Sequence, residues 1–344
     1  MPRAIAAFLT SAAVLTLAWP AGAEDINSPL VGLWKLTGNT TKIVATGAME
    51  RQAGEHPSGY QLFTKGGHMM FVQAAESRKP PAGTVATDAE RVGLFNTLVA
   101  YVGTYKLNGS KVLIHFEANA TPGIPDRTYA MEVSGDKLRL TADPFLNGLG
   151  QQIVSIRTFE RRLAPCAQPE EKIMSRSITV TIAATAALVL GLLPGAAFGQ
   201  QKSLRDQLVG AWTLVSADVT PAGGAKRQDF GANPKGILIF DAGGKYALVQ
   251  GSPNRPKFKD TNNLRTGATG EEFAAAARSF AANFGTWSVD EGDKILVRNY
   301  EIALIPNNDG VETKTSVTMT GDELKLSATA ANGARAEAVY RRAK

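Results

Sequence analysis

The groups in this chain able to do chemistry are few: three histidines, one cysteine, and scattered basic and aromatic side chains. His56, His68 and His115 all fall in the N-terminal half. His115-Phe-Glu117 places an imidazole and a carboxylate on one face of a strand, because side chains alternate with a period of two. With Arg127 to stabilise an anion, His115 and Glu117 form a candidate acid–base set. Val112, Ile114 and Phe116 fill the other face, which favours a polar outer row over a catalytic pair. Zinc chemistry would need three converging ligands, and no His-x-x-x-His or His-x-Glu grouping falls on a predicted helix. Neither a metal nor a cofactor is expected. Cys166 sits beside Pro165, far in sequence from any histidine, and a single cysteine excludes an intrachain disulfide framework. Neither a Gly-x-Ser-x-Gly elbow nor a phosphate-cradling glycine loop occurs.

Ligand contacts are better candidates than catalysis. Tyr105 and His115 in the first half, and Tyr246, Trp287, Arg298 and Tyr300 in the second, are aromatic or basic residues on strand-like runs. Their inward or outward direction depends on strand parity, which a one-residue slip reverses.

The elements that must carry these residues repeat. Leu30-Val-Gly-Leu-Trp34 matches Leu208-Val-Gly-Ala-Trp212, and Pro57-Ser-Gly59 matches Pro234-Lys-Gly236. Gly66-Gly67 matches Gly243-Gly244, Gly103-Thr104-Tyr105 matches Gly285-Thr286-Trp287, and Arg161-Arg162 matches Arg341-Arg342. Order and spacing hold throughout, so the chain is a tandem repeat. Each half reads as about eight runs rich in Val, Ile, Leu, Thr and aromatics, separated by glycine-containing turns, which suits a closed antiparallel barrel. One short helix interrupts each half. Thr87-Asp-Ala-Glu90 and Thr269-Gly-Glu-Glu272 open them as capping boxes, with Phe95 and Phe273 on their apolar stripes.

Two segments read as leaders. Residues 1–23 carry Arg3, an apolar stretch and Ala21-Gly22-Ala23, the grammar of a signal peptide cleaved before Glu24. A second such segment follows Met174 and Arg176, with an apolar core over residues 182–193 and small residues at Ala197 and Gly199. That core is shorter than the roughly 20 residues of a membrane span. The organisation read is a signal peptide (1–23), a first barrel (24–165), a linker holding the internal leader-like segment (166–199) and a second barrel (200–344). The net charge of +6 is spread thinly over both halves, without the basic stripe that nucleic acid requires. A periplasmic or secreted location follows, with membrane contact only through residues 1–23 and 178–199.

The repeat resembles the bacterial lipocalin-like domain family. The second half is the closer match, through Leu-Val-Gly-x-Trp212, Asn254-Arg-Pro-Lys-Phe258, Asn262-Asn-Leu-Arg-Thr-Gly267, Phe284-Gly-Thr-Trp-Ser-Val-Asp-Glu291, Gly321-Asp-Glu-Leu324 and Tyr340-Arg-Arg. The first half is a diverged copy that keeps Arg78-Lys-Pro80 and loses the Asn-Asn run. The resemblance implies an all-β fold of two lipocalin-like antiparallel barrels of about eight strands each. It implies that Trp34 and Trp212 close one barrel end beneath Arg161 or Arg162 and Arg341 or Arg342. Where the family tends to carry a histidine on the strand after the helix, the first half has His115 and the second Arg298. The expected function is binding of a small hydrophobic or amphipathic molecule. The alternatives are acid–base chemistry by His115 and Glu117 in the first barrel, or a ligand-free structural module of the cell envelope.

Overall fold

The computed structural model describes residues 27–162 and 202–343, apart from 52, 84–85, 148–149 and 260–267. Both leader-like segments, Cys166 and the Asn262–Gly267 run lie outside the described residues. The first half contains β1 (Gly32–Ile43), β2 (Met49–Glu50), β3 (Ser58–Phe63), β4 (His68–Ala74), α1 (Asp88–Asn96), β5 (Leu98–Asn108), β6 (Lys111–Asn119), β7 (Arg127–Ser134), β8 (Lys137–Ala142), β9 (Phe145–Leu146) and β10 (Gln152–Arg161). The second contains α2 (Leu204–Leu208), β11 (Gly210–Thr220), β12 (Arg227–Gln228), β13 (Lys235–Phe240), β14 (Lys245–Gly251), α3 (Gly270–Arg278), β15 (Phe280–Asp290), β16 (Ile295–Ala303), β17 (Glu312–Thr320), β18 (Glu323–Thr329) and β19 (Arg335–Arg342). Strands follow one another in antiparallel order, and β1–β10 and β11–β19 pairing closes each sheet. The protein is therefore two closed eight-stranded barrels. Closure removes the sheet edges that would otherwise invite further strand pairing.

Each barrel is shut at one end by the same device. Trp34 and Trp212 are fully buried and donate from Nε1 to Leu30 O and Leu208 O, both at 2.7 Å. Arg161 lies 4.1 Å over the Trp34 ring, and Arg342 lies 4.1 Å over Trp212. Their guanidiniums also donate to the carbonyls of Val31 and Pro29, and of Val209 and Gln207. The glycine two residues before each tryptophan is required here. Gly32 and Gly210 adopt φ of +131° and +125°, and a Cβ would meet Nη1 of Arg161 at 2.7 Å or of Arg342 at 3.3 Å. The short helix α2, which the sequence reading did not include, leads into this end of barrel 2, with Leu208 fully buried beside Trp212.

A second glycine builds a matching bulge in both barrels. At Gly103 a Cβ would lie 1.8 Å from His115 O, and at Gly285 the same distance from Asn299 O. The extra residues are Glu117 and Glu301, which the cross-strand registers skip.

Helices α1 and α3 are both capped by the Thr–Glu boxes, with side-chain and backbone bonds reciprocated. They do not simply cover their own barrels. Phe95 of α1 meets Phe273 of α3 and Phe258, with ring centroids 5.5 and 6.0 Å apart. Around them, the outer faces of β3–β5 and β13–β15 share one apolar cluster that includes Leu62, Met70, Val72, Ile237, Ile239 and Val249. Tyr60 stacks on Phe284 at 4.0 Å and 16°, a geometry worth about 0.5–1.5 kcal/mol beyond area burial. The two barrels thus lie side by side over a continuous core.

Candidate functional site

The barrel interiors are where a ligand could be enclosed, and alternation fixes which residues face them. In barrel 1 the lower interior is filled by Trp34, Phe63, Met69, Phe71, Tyr101, Tyr105, Ile114 and Phe159, all buried. In barrel 2 it is filled by Trp212, Phe240, Tyr246, Trp287, Leu296 and Leu324. Tyr105 and Trp287 occupy equivalent positions and perform the same task. Tyr105 donates to Thr64 O at 2.7 Å, and Trp287 Nε1 to Asp241 O at 3.0 Å, so both tie down the β3–β4 or β13–β14 turn. Both belong to the closed end of the barrel, away from its mouth.

His115 and Glu117 lie on the outer wall, alternating with Val112, Ile114 and Phe116 of the interior cluster. His115 Nδ1 pairs with Asp126 at 2.9 Å, with both side chains nearly half exposed. Arg127 lies on the opposite wall surface, inside the mouth, stacked 3.5 Å from the Phe145 ring. The structure does not bring His115, Glu117 and Arg127 together. The pairing of Arg298 with His115 is also corrected by register. His115 lies opposite Thr104 and Asn299 opposite Thr286, so Asn299 is the counterpart of His115. Arg298, opposite Trp287, is the counterpart of Ile114, opposite Tyr105. The bulges at Glu117 and Glu301 do not disturb this correspondence, because both barrels have them.

Register then shows a compensated exchange between the copies. Barrel 1 has Ile114, Arg127, Tyr129 and Arg157 where barrel 2 has Arg298, Thr313, Thr315 and Ala338. Each interior holds a central guanidinium, delivered from different strands. In barrel 1, Arg157 lies 4.3 Å over the Phe71 ring and donates to Tyr101 Oη. Burial raises the Tyr101 phenol well above its usual range, against the opposing pull of Arg157. Burial lowers the Arg127 pKa, Tyr129 raises it in turn, and the like charge of Arg157 lowers it again.

In barrel 2, Arg298 lies 5.6 Å over the Tyr246 ring and reaches Thr315 Oγ1 at 3.4 Å. Tyr246 Oη, Asn283 Oδ1 and Arg298 Nε are buried with no hydrogen-bond partner among the described residues. Burial raises the Tyr246 phenol far above its ordinary value, the Arg298 charge opposing it. No carboxylate forms an ion pair with Arg298, Arg127 or Arg157 among the described residues. Above Arg298 the wall is made small by Ala217, Ala281, Ala328, Ala336 and Ala338, where barrel 1 has Asn39, Val99, Ala142, Ser155 and Arg157. Arg298, Tyr300, Ala281, Ala328 and Ala338 remain partly exposed although they face inward. A guanidinium and two unpartnered polar atoms thus share the barrel 2 interior with a wall of small residues.

Closed antiparallel barrels with a Trp–Arg-sealed end define the class: lipocalin-like β-barrels, built twice. The chain belongs to the lipocalin-like domain family, whose profile matches residues 31–161 and again 209–343. No curated protein matches the chain. Among solved structures, a redesigned β-barrel is 12% identical, covering 42% of this chain and 100% of that one, with a TM-score of 0.23. A protein of unknown function from the DUF3598 family of Nostoc punctiforme is 8% identical, covering 92% of this chain and 100% of that one, at 0.21. Transferrin binding protein B from serogroup B Neisseria meningitidis is 11% identical, covering 91% of this chain and 76% of that one, at 0.24. Among the described residues no group of three metal-ligating side chains occurs, and no helix is long and apolar enough to cross a membrane.

Proposed function

We propose that the protein is an exported binding protein for a small amphipathic molecule, held in barrel 2 with its anionic or acceptor head on Arg298. The observation that carries this reading is Arg298, without a carboxylate partner among the described residues, sharing the barrel 2 interior with the unpartnered Tyr246 Oη and Asn283 Oδ1 and an alanine-lined wall. Arg298 is only partly exposed, and a cation drawn partly out of water without a carboxylate costs free energy unless something answers its charge. An anionic head would do so, and the alanine wall would receive its apolar tail. Barrel 1 fills the same level with Arg157 against Phe71, so its counterpart site is occupied by its own side chain. The leader grammar of residues 1–23 supports export, and with it a periplasmic or secreted location.

Calorimetric titration of the whole protein with decanoate and with decan-1-ol tests this. Decanoate binds, decanol binds at least tenfold more weakly, and Arg298→Met removes the difference; a charged hydrogen bond of about 1.5–3 kcal/mol corresponds to roughly 10–100-fold. Equal affinity for acid and alcohol, or an unchanged Arg298→Met, overturns the assignment.

A further inference from the structure

We propose that the two barrels are a matched pair whose interface works in trans, so that the protein remains a barrel 1–barrel 2 heterodimer after its connection is cut. The contacts across the interface are reciprocal. Arg78 reaches from barrel 1 to the carbonyl of Leu304, and Arg255 reaches from barrel 2 to the carbonyls of Asn119 and Ala120. Ala120 and Leu304 are equivalent residues, each donating its own amide to Ala100 O or Ala282 O at 2.8 Å. Arg78 and Arg255 also correspond, each lying five residues beyond the paired Gln73 and Gln250. Both arms are buried enough that desolvation brings their guanidiniums down to about 10. Reciprocal arms across an apolar face are the arrangement of a two-fold dimer, here made between unequal copies.

The unequal contacts make the pairing selective for the other copy. Arg278 of α3 pairs with Asp88 of α1 at 2.9 Å. With the capping boxes aligned, the counterpart of Asp88 is Gly270 and that of Arg278 is Asn96, so neither barrel paired with itself would form this bridge. Phe273 sits where α1 has Arg91, so two copies of barrel 1 would set Arg91 against Phe95 in place of the Phe95–Phe273–Phe258 cluster. Two copies of barrel 2 would lose Tyr60, whose counterpart is Ile237, from its stack on Phe284. Specificity of this kind comes from what the wrong pairs lack as much as from what the right pair gains. The leader-like segment in the connection could then be removed without separating the barrels.

The test starts from the whole folded protein with protease sites flanking residues 166–199, cut after purification. Native mass spectrometry and gel filtration at micromolar concentration give one species, barrel 1 bound to barrel 2. Free barrels, or barrel 1 and barrel 2 homodimers, overturn the proposal. Arg78→Ala with Arg255→Ala in the same cut protein weakens association on the order of 100-fold, since each arm makes buried charged hydrogen bonds. If that variant does not fold, Tyr60→Ser replaces it and weakens association about tenfold. No change in dissociation for whichever variant folds counts equally against the pairing.

Discussion

Arg341 and Arg342, in the last strand of barrel 2, differ in consequence although they are neighbours and chemically identical. Arg342 lies over Trp212 and donates to Val209 O at 3.2 Å and Gln207 O at 2.6 Å, whereas the side chain of Arg341 is exposed on the barrel exterior. A cation–π contact contributes about 0.5–2 kcal/mol, and hydrogen bonds from a charged donor about 1.5–3 kcal/mol each. Part of this is offset by the desolvation that the guanidinium bears on folding and the alanine variant does not. Arg342→Ala should therefore cost about 2–4 kcal/mol, while Arg341→Ala stays within roughly 0.5 kcal/mol, as exposed surface changes do. Urea unfolding followed by tryptophan emission measures the difference. With a urea dependence of about 2 kcal/mol per molar, the Arg342→Ala midpoint falls by about 1–2 M. In barrel 1 the order is reversed: Arg161→Ala is the costly change and the exposed Arg162 the neutral one. Equal losses for the two members of either doublet would refute the closure mechanism.

Further outcomes follow from the same structure. Ile114→Arg, Arg127→Thr, Tyr129→Thr and Arg157→Ala together carry the barrel 2 exchange into barrel 1, and calorimetry should then count two decanoate sites per chain where the parent has one. Gly103→Ala and Gly285→Ala each force a Cβ to within 1.8 Å of a backbone carbonyl, so either should lower stability by several kcal/mol in thermal melts. His115→Ala and Glu117→Gln should leave decanoate affinity unchanged, because both residues lie on the outer wall. At high pH the buried phenols matter. Those of Tyr60 and Tyr340 are raised to about 12, and those of Tyr101, Tyr105 and Tyr246 further still, desolvation being the main cause. For an acid whose folded pKa exceeds its unfolded value of about 10, stability is intact below 10 and declines as pH rises through 10 toward 12. Tyrosine absorbance near 295 nm should accordingly rise together with unfolding; phenolate formation at pH 10 in a protein that stays folded would contradict this.

The sequence by itself determined the repeat, the barrel class and both capped helices, because these rest on local periodicity, turn glycines and capping chemistry that each segment carries alone. The family resemblance, in turn, implied the Trp–Arg closure. What it left open was parity: which arginine of a doublet turns inward, and which residue answers His115. Those depend on cross-strand register, which sets Arg161 opposite Trp34, Arg342 opposite Trp212, His115 opposite Thr104 and Asn299 opposite Thr286, while matched bulges at Thr37, Val215, Glu117 and Glu301 shift both barrels alike. A bulge reverses every later side chain, and nothing in a short run of β-formers announces it beyond a glycine with no room for a Cβ. The interface had a signal that composition alone does not separate from a barrel core. All seven residues of β4 are buried, and five of the six in β13, where a barrel wall facing water would alternate. Such unbroken apolar runs say that both faces are covered, but not by what. Only the tertiary structure supplied the cover, each barrel for the other, and only it showed that the two interiors hold their guanidiniums from different strands. Contacts between residues more than a hundred positions apart decide those points, and no local pattern encodes them.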